Sequence, residues 1–362
     1  MNDIEAKLKI LRDKIDSLDT SIIQMVQDRA KIGSEIGDIK RSSGDPIYRP
    51  DRERDVYKKV KDKNPGPLPD SVLIAIYREI MSGTIALEKS IQVGFLGPEG
   101  SFSHEAVLKK FGSIVESHPL PSITDVFRSV ESGKMEYGMV PVENSTEGSI
   151  GSTLDSLISS DISVYSEMYM QINFHLLGHE RDFTKIKKIY GLRIANEQCR
   201  NWIHANFPNV EIIETSSTAQ AAKIVATDRS GVAIASKSAG ELYSLDLLAS
   251  SIEDVSGNTT RFFVIGKDKC PPTGNDKTSI VFSIPDKPGS LIEVLRIFQE
   301  YDLNLSKLES RPSRRNLWDY NFFTDFNGHS SDPKIKEMLE RVKKTCHFLK
   351  VLGSYPSSTE RL

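Results

Sequence analysis

Val140-Pro-Val-Glu-Asn-Ser-Thr-Glu-Gly-Ser-Ile-Gly-Ser-Thr-Leu-Asp155 sets a carboxylate, an amide, hydroxyls and glycines between two apolar runs. Gly138-Met-Val-Pro-Val142 reads as a short buried strand, and residues 150–158 as a helix starting near Ser149. A loop between a strand and a helix start leaves backbone N–H groups unpaired at a positive helix end, where an anion can dock. An ordinary turn with one capping hydroxyl accounts for the same residues. The fold type is decided here, while the chemistry stays open.

Outward from this loop, the segment 91–270 keeps alternating. Ile91 to Leu96 reads as a strand, Gly97-Pro-Glu-Gly-Ser-Phe-Ser-His104 as a second glycine loop, and 105–111 as a helix. The loop lacks both the Gly-x-Gly-x-x-Gly spacing and a Gly-Lys-Ser/Thr ending, so no nucleotide is expected. Strands are expected at 162–165, 171–178, 189–191, 210–215, 232–235 and 261–265. Helices are expected at 198–207, 218–226 and 239–242. This is an α/β pattern of two lobes, with a cleft entered by the loops at Ser101, Asn144, Ser216 and Thr260. In Asn258-Thr-Thr-Arg-Phe-Phe263, Arg261 could hold a carboxylate and Thr260 stands beside it. An edge-strand arginine next to a threonine of high β propensity is the plainer reading.

The first ninety residues are of another kind. Ile4, Leu11, Leu18, Met25, Ile32 and Ile39 form one heptad-spaced row; Leu8, Ile15, Ile22 and Ile36 form a second. One long helix with a partner follows. Arg29 takes an apolar position of the second row, and a guanidinium in a seam calls for an anion. Lys40 lies on nearly the same face, about 16 Å further along the axis. Arg12 is about 25 Å from Arg29 along that axis, too far to serve the same site. It could serve an identical site in a second, antiparallel chain, which would make a homodimer with shared sites. A coiled-coil arm with solvated charges is the alternative. Pro50, Asp51 and Glu53 mark a second helix, stopped by Asn64-Pro-Gly-Pro-Leu-Pro69. Asp70 is expected to cap a third, on which Thr84 and Glu88 stack at i and i+4.

The C-terminal segment follows a linker, Pro271-Pro-Thr-Gly-Asn-Asp276. It reads strand (278–284), helix (288–301), strand (304–311), strand (317–326), helix (332–344), strand (347–352), a βαββαβ order. A net charge of -3 over 362 residues argues against a nucleic-acid or membrane surface. No 18-residue apolar run or export leader is recognisable, so a soluble cytoplasmic protein is expected. Cys199, Cys270 and Cys346 show no metal-ligand spacing and read as reduced thiols. No metal and no cofactor are expected.

Three resemblances cover nearly the whole chain. Leu11-Arg-Asp-Lys-Ile-Asp-Ser-Leu-Asp19, Arg29, Gly37 to Lys40, Asp51-Arg-Glu-Arg54 and Thr84 to Glu88 resemble the all-helical chorismate mutases, which are intertwined dimers. The resemblance implies that Arg12 of one chain and Arg29 of the other hold the two substrate carboxylates. Lys40 meets the ether oxygen, and Glu53, supported by Arg52, holds the ring hydroxyl. Arg49, Thr84 and Glu88 match site positions where relatives often have other residues. Such a pericyclic rearrangement needs a fixed conformer and charge opposite the developing oxygen, without nucleophile or cofactor. A Glu88 facing the ether oxygen would have to be protonated.

Gly97-Pro-Glu-Gly-Ser101, Val140 to Ser145, Ser216-Ser-Thr-Ala219 and Thr259-Thr-Arg-Phe262 resemble prephenate dehydratase, in order. That family has two lobes like periplasmic binding proteins. Thr260 matches its catalytic threonine, and Ser101, Glu143, Asn144, Ser145, Thr146, Arg261 and Phe262 match positions around prephenate. Leu192-Arg-Ile-Ala195 departs from the family pattern. Asp286-Lys-Pro-Gly-Ser-Leu291 and Asn304-Leu-Ser-Lys-Leu-Glu-Ser-Arg-Pro312 resemble the ACT domain. This implies phenylalanine held near Gly289, Ser290, Leu291, Asn304, Leu305, Ser306, Glu309, Ser310 and Arg311. The expected domains are a mutase (1–90), a dehydratase (91–270) and an ACT domain (277–356), together making phenylpyruvate under phenylalanine control. A non-catalytic sensor, or a dehydratase with a degenerate dimerising first domain, is the alternative.

Overall fold

A computed structural model describes residues 3–43, 45–312 and 320–358. These divide into two compact units, the described residues within 1–49, 55–91 and 111–115, and those within 50–54, 92–110 and 116–362. The chain begins with three helices, α1 (Asp3–Ser43), α2 (Pro50–Asp62) and α3 (Asp70–Glu88). Pro50 opens α2, where a missing N–H costs nothing. α3 is preceded by Pro69 as its cap residue, and Asp70, expected as the cap, is its first residue. In the first unit α1 and α3 pack together along the C-terminal half of α1. The N-terminal half leaves its apolar rows uncovered: Ile4 is 64%, Leu18 62% and Met25 62% exposed. No described helix is long and apolar enough to cross a membrane.

The second unit contains two α/β lobes and a terminal α+β domain. The first lobe runs β1 (Gln92–Leu96), α4 (Phe102–Phe111), β2 (Glu116–Leu120), α5 (Ile123–Glu131), β3 (Tyr137–Asn144), β4 (Gly148–Ser149), α6 (Gly151–Ser159) and β5 (Ser163–Gln171). The second runs β6 (His175–Gly178), β7 (Lys188–Leu192), α7 (Arg193–Gln198), α8 (Arg200–Asn206), β8 (Glu211–Thr215), α9 (Thr218–Val225), β9 (Gly231–Ala235), α10 (Lys237–Leu242) and β10 (Asp246–Ala249). The chain then returns to the first lobe as β11 (Thr259–Gly266). Sheet orders are β2-β1-β3-β11-β5 and β10-β6-β9-β7-β8.

β1 and β3 are parallel and β11 runs against β3. The C-terminal ends of β1 and β3 therefore share one sheet edge with the start of β11, which gathers Ser101, Asn144 and Thr260 from distant sequence. The helix expected near Ser149 starts two residues later because Gly148 and Ser149 pair back onto β3. The helix expected over 198–207 is α8, and a short separate helix, α7, precedes it and ends at Cys199.

The last domain has β12 (Asp276–Ser283), α11 (Ser290–Glu300), β13 (Leu305–Pro312), β14 (Tyr320–Asn327), α12 (Pro333–Thr345) and β15 (Phe348–Pro356), with sheet order β13-β14-β12-β15. This is the expected βαββαβ order; residues 317–319 of the expected third strand lie outside the described residues. α11 and α12 cover one face of the sheet through Val294, Phe298, Met338 and Val342. The other face joins the first lobe: Val281, Phe323, Leu352 and Tyr355 belong to one apolar core with Val140, Leu157 and Phe263.

Candidate active sites

In the first unit, Arg29 is half-buried and its Nη1 donates to Thr84 Oγ1 at 3.2 Å. Thr84 Oγ1 donates in turn to Ile80 O at 2.8 Å. Lys40 Nζ donates to the Ile47 carbonyl at 3.2 Å. Glu88 Oε2 is buried, with no hydrogen-bond partner among the described residues. Burial holds the Glu88 carboxyl above the ordinary carboxylate range, against the opposing pull of Lys40 and Arg41. Arg29, Lys40, Thr84 and Glu88 thus line one face between α1 and α3. Arg12 is exposed on the N-terminal half of α1, and Arg52 is exposed on α2. Arg49 is the half-buried residue before α2 and makes no side-chain cap bond there. Glu53 departs from expectation: its carboxylate is paired at 2.8 Å with Lys110 of α4.

In the second unit, Thr260 lies opposite Asn144 in the β11–β3 ladder. Asn144 Oδ1 accepts from the backbone N–H of Thr146 at 2.9 Å and of Glu147 at 3.1 Å. Those two donors fix which end of the amide is oxygen. Its Nδ2 therefore donates, to Thr260 Oγ1 at 2.9 Å and to Asn258 Oδ1 at 2.7 Å. Asn258 Nδ2 then donates to Gln198 Oε1 at 2.9 Å, so the amide chain reaches the second lobe. With its oxygen accepting from Asn144, the Thr260 hydroxyl has its own hydrogen free to donate. Ser145 Oγ accepts from Thr259 N at 2.9 Å and ties the loop to the start of β11.

Ser101 Oγ donates to Leu96 O at 3.1 Å and accepts from His104 N, shaping the first glycine loop. Gly100 beside it has φ of +77°, and a Cβ there would stand 3.3 Å from Ala239 Cα of the other lobe. Ser236 Oγ donates to Gly100 O at 3.0 Å across that approach.

Three expected substrate contacts are engaged elsewhere. Neighbours on a strand point to opposite sides, and Arg261 points away from Thr260 into a buried ion cluster. Its guanidinium meets Glu167 at 2.8 Å, Asp325 at 2.5 Å and the Tyr355 hydroxyl at 3.0 Å. Lys277 completes the cluster at 2.8 Å from Glu167. Glu143, opposite Arg261 in the ladder, is held at 3.0 Å by Lys307. Phe262 is 1% exposed and packs as core. Asn258 and Gln198 are the participants that sequence reading passed over. Neither carries a local signal, since the contact partners stand 60 residues or more apart.

In the terminal domain, Asp286, Gly289, Ser290 and Leu291 line a cavity of about 300 Å³ with Tyr320 and Phe322. Gly289, at φ +90°, turns the chain into α11 in a conformation that other residues resist. Ser310 pairs with Phe322 across the sheet. Asn304, Ser306 and Ser310 are exposed, and Leu305 is partly buried against the domain core. Glu309 and Arg311 correct the sequence reading: they lie on the opposite face of β13, where Glu309 bonds Ser149 and Arg311 sits 3.9 Å from Asp155. Among the described residues no group of three or more His, Cys, Asp or Glu is placed to hold a metal ion.

Family models match in the same order as these sites: Chorismate mutase type II over residues 11–89, Prephenate dehydratase over 93–270 and ACT domain over 278–344. A bifunctional chorismate mutase/prephenate dehydratase of Aquifex aeolicus is 42% identical over 97% of this chain and 98% of its own. One of Stutzerimonas stutzeri is 45% identical over the same shares. The crystal structure of a prephenate dehydratase from Arthrobacter aurescens in complex with L-Phe is 31% identical, with TM-score 0.68, and covers 74% of this chain and 90% of its own. With near-complete coverage at this identity and three domain matches in one order, the chain belongs to the bifunctional chorismate mutase/prephenate dehydratase family.

Proposed function

We propose that the protein rearranges chorismate to prephenate at the α1–α3 site and converts prephenate to phenylpyruvate at the Thr260 site, with phenylalanine as feedback ligand. The carrying observation is the Asn144–Thr260 hydrogen bond with its donor direction fixed by two backbone N–H groups. In the dehydratase step the bond to the ring carboxylate breaks and CO2 leaves. That electron pair enters the ring as the C–O bond to the ring hydroxyl breaks, so aromatisation drives the step. The Thr260 hydroxyl, oriented by Asn144, donates to the departing oxygen, and a solvent proton completes the water. A threonine is a weak acid, so its contribution is a placed hydrogen bond at the atom that gains charge. The hydroxyls of Ser145 and Thr146 supply further donors at the same sheet edge, and Ser101 shapes the loop beside them.

In the mutase step, Arg29 holds a carboxylate, and Lys40 with a protonated Glu88 donates to the ether oxygen as the C–O bond lengthens. Arg12 reaches the equivalent site of a second chain, so the working form is a homodimer or a higher homo-oligomer. The exposed apolar rows of α1 support that assembly. Phenylalanine occupies the cavity at 286–291, and β13 carries its effect. The strand's Lys307, Glu309 and Arg311 grip Glu143, Ser149 and Asp155, which flank Asn144. We assign the domains as 1–90, 91–270 and 277–356 and place the enzyme in the cytoplasm.

A coupled assay tests the reading. Purified protein given chorismate should produce prephenate and then phenylpyruvate, and added phenylalanine should lower the second rate. Turnover of prephenate without turnover of chorismate would favour a first domain that only dimerises.

A further inference from the structure

Gly33 and Gly37 stand one turn apart on the face of α1 that meets α3. A Cβ at Gly33 would lie 2.1 Å from Thr84 Cγ2, and one at Gly37 would lie 2.3 Å from Glu88 Cδ and 2.5 Å from its Oε2. Real Cβ atoms essentially never come within 3.0 Å of a neighbour, so any side chain at these positions forces a displacement. Thr84 and Glu88 are also one turn apart, and the helices run in the same direction here. Each glycine therefore faces one residue of the site. The stripe continues into the cations: Arg29, one turn before Gly33, donates to Thr84 Oγ1, and Arg41, one turn after Gly37, donates to Glu88 O at 3.0 Å.

We infer that Gly33 and Gly37 are positioning residues of the mutase site: two missing side chains let α3 approach α1 until Thr84 reaches Arg29 and the Glu88 carboxyl is enclosed beside Lys40. The inference rests on the mutase reading above and adds how the site is set. Thr84 is branched at Cβ and has few χ1 choices in a helix. Rotating Cγ2 away from a methyl at position 33 swings Oγ1 off both Arg29 and Ile80 O. Glu88 is flexible, so a methyl at position 37 drives its carboxyl outward into water. The charged groups facing it from α1 are Asp38, Lys40 and Arg41. With its enclosure lost, the carboxyl titrates closer to the ordinary range. Helix propensity works the other way. Alanine is a better helix former than glycine, so a defect in either alanine variant comes from the approach and not from weakened helix.

The experiment is a size swap in the full chain. Gly33→Ala should lower mutase kcat by about 100-fold, the scale set by a misplacement near 1 Å, with dehydratase kcat unchanged as an internal control. Gly33→Ala combined with Thr84→Ser, which removes Cγ2 and keeps the hydroxyl, should regain most of the activity of Thr84→Ser alone. For Gly37→Ala, the Glu88 carboxyl is titrated by carbon-13 NMR, its signal identified by loss in Glu88→Gln. Its midpoint should fall toward the ordinary glutamate value. An unaltered midpoint, or no rescue in the double variant, overturns the inference. The titration needs no turnover, so it stands or falls apart from the assignment of the activity.

Discussion

On the reading proposed above, the helical unit and the dehydratase segment place a hydrogen-bond donor against a departing oxygen by opposite means. In the first, a carboxyl is enclosed between helices, and burial raises its pKa and so favours the protonated form. In the second, a hydroxyl is left chemically ordinary and aimed by an amide whose own orientation is locked by backbone N–H groups. The units differ equally in what covers them. The apolar rows of α1 are uncovered, with Ile39 at 69% exposure, while β11 is buried along nearly its whole length. The cleft site draws its residues from one chain; the helical site has its cations on a helix face that asks for a second copy. On the proposed reading, the cleft activity should survive dissociation and the helical activity should not.

The sharpest break in that comparison is Thr260→Ala. Dehydratase kcat should fall by about 1,000-fold, the upper range for losing one oriented donor, while mutase kcat stays at wild type; separate assays for the two products measure it. Next comes sharing between copies. Arg12→Ala and Lys40→Ala should each abolish mutase activity, and an equal mixture refolded together should recover about a quarter of the wild-type rate. Half the dimers are then mixed, and each mixed dimer has one intact site of two. Size-exclusion chromatography of the same mixture confirms the heterodimers.

A thermodynamic test follows. Asp325→Ala leaves the Arg261 guanidinium buried with one carboxylate fewer and should cost about 3–5 kcal/mol, read by urea unfolding of the second unit. The smallest effect concerns pH. Only protonated Glu88 can donate, so mutase activity should be full below its raised pKa and fall as pH climbs through it. Glu88→Gln donates at any pH and should flatten that alkaline fall without changing the dehydratase profile. An identical profile in both proteins would remove Glu88 from the reacting oxygen.

Much of this was legible in the chain. Heptad rows exposed α1, and glycine loops at 97–104 and 144–151 marked a sheet edge because loops of that composition follow strands. β2 and α5 were passed over for different reasons. β2 is short, carries Pro119 and lies at the sheet edge, where strand signals are weak. α5 had a readable pattern in Ile123, Val126, Phe127 and Val130, with Ser122 as its cap. Its spacing is ordinary helix periodicity that nothing functional drew attention to. The site was read less well where facing mattered. Motif proximity put Thr260 and Arg261 at one substrate, although adjacent residues on a strand cannot share a face. The same alternation separates Glu309 and Arg311 from Ser310. Glu53 was out of reach for another reason: its partner Lys110 lies 57 residues away and no local pattern foretells it.

Lys350 of β15 has a bearing on protein engineering. Its ammonium donates to the carbonyls of Leu157, at 2.8 Å, Ile158 and Ser160, and so terminates α6 with a side chain from the regulatory domain. Three residues on, Gly353 lies so near Val164 that a Cβ would meet the Val164 carbonyl at 2.2 Å. The border near residue 276 is thus a sequence boundary without being a seam. A transplanted ACT domain from a relative would need a lysine at position 350 and a glycine at 353 before it could seat. A chimera lacking them would leave the last carbonyls of α6 without this donor and would crowd the approach of β15 to β5.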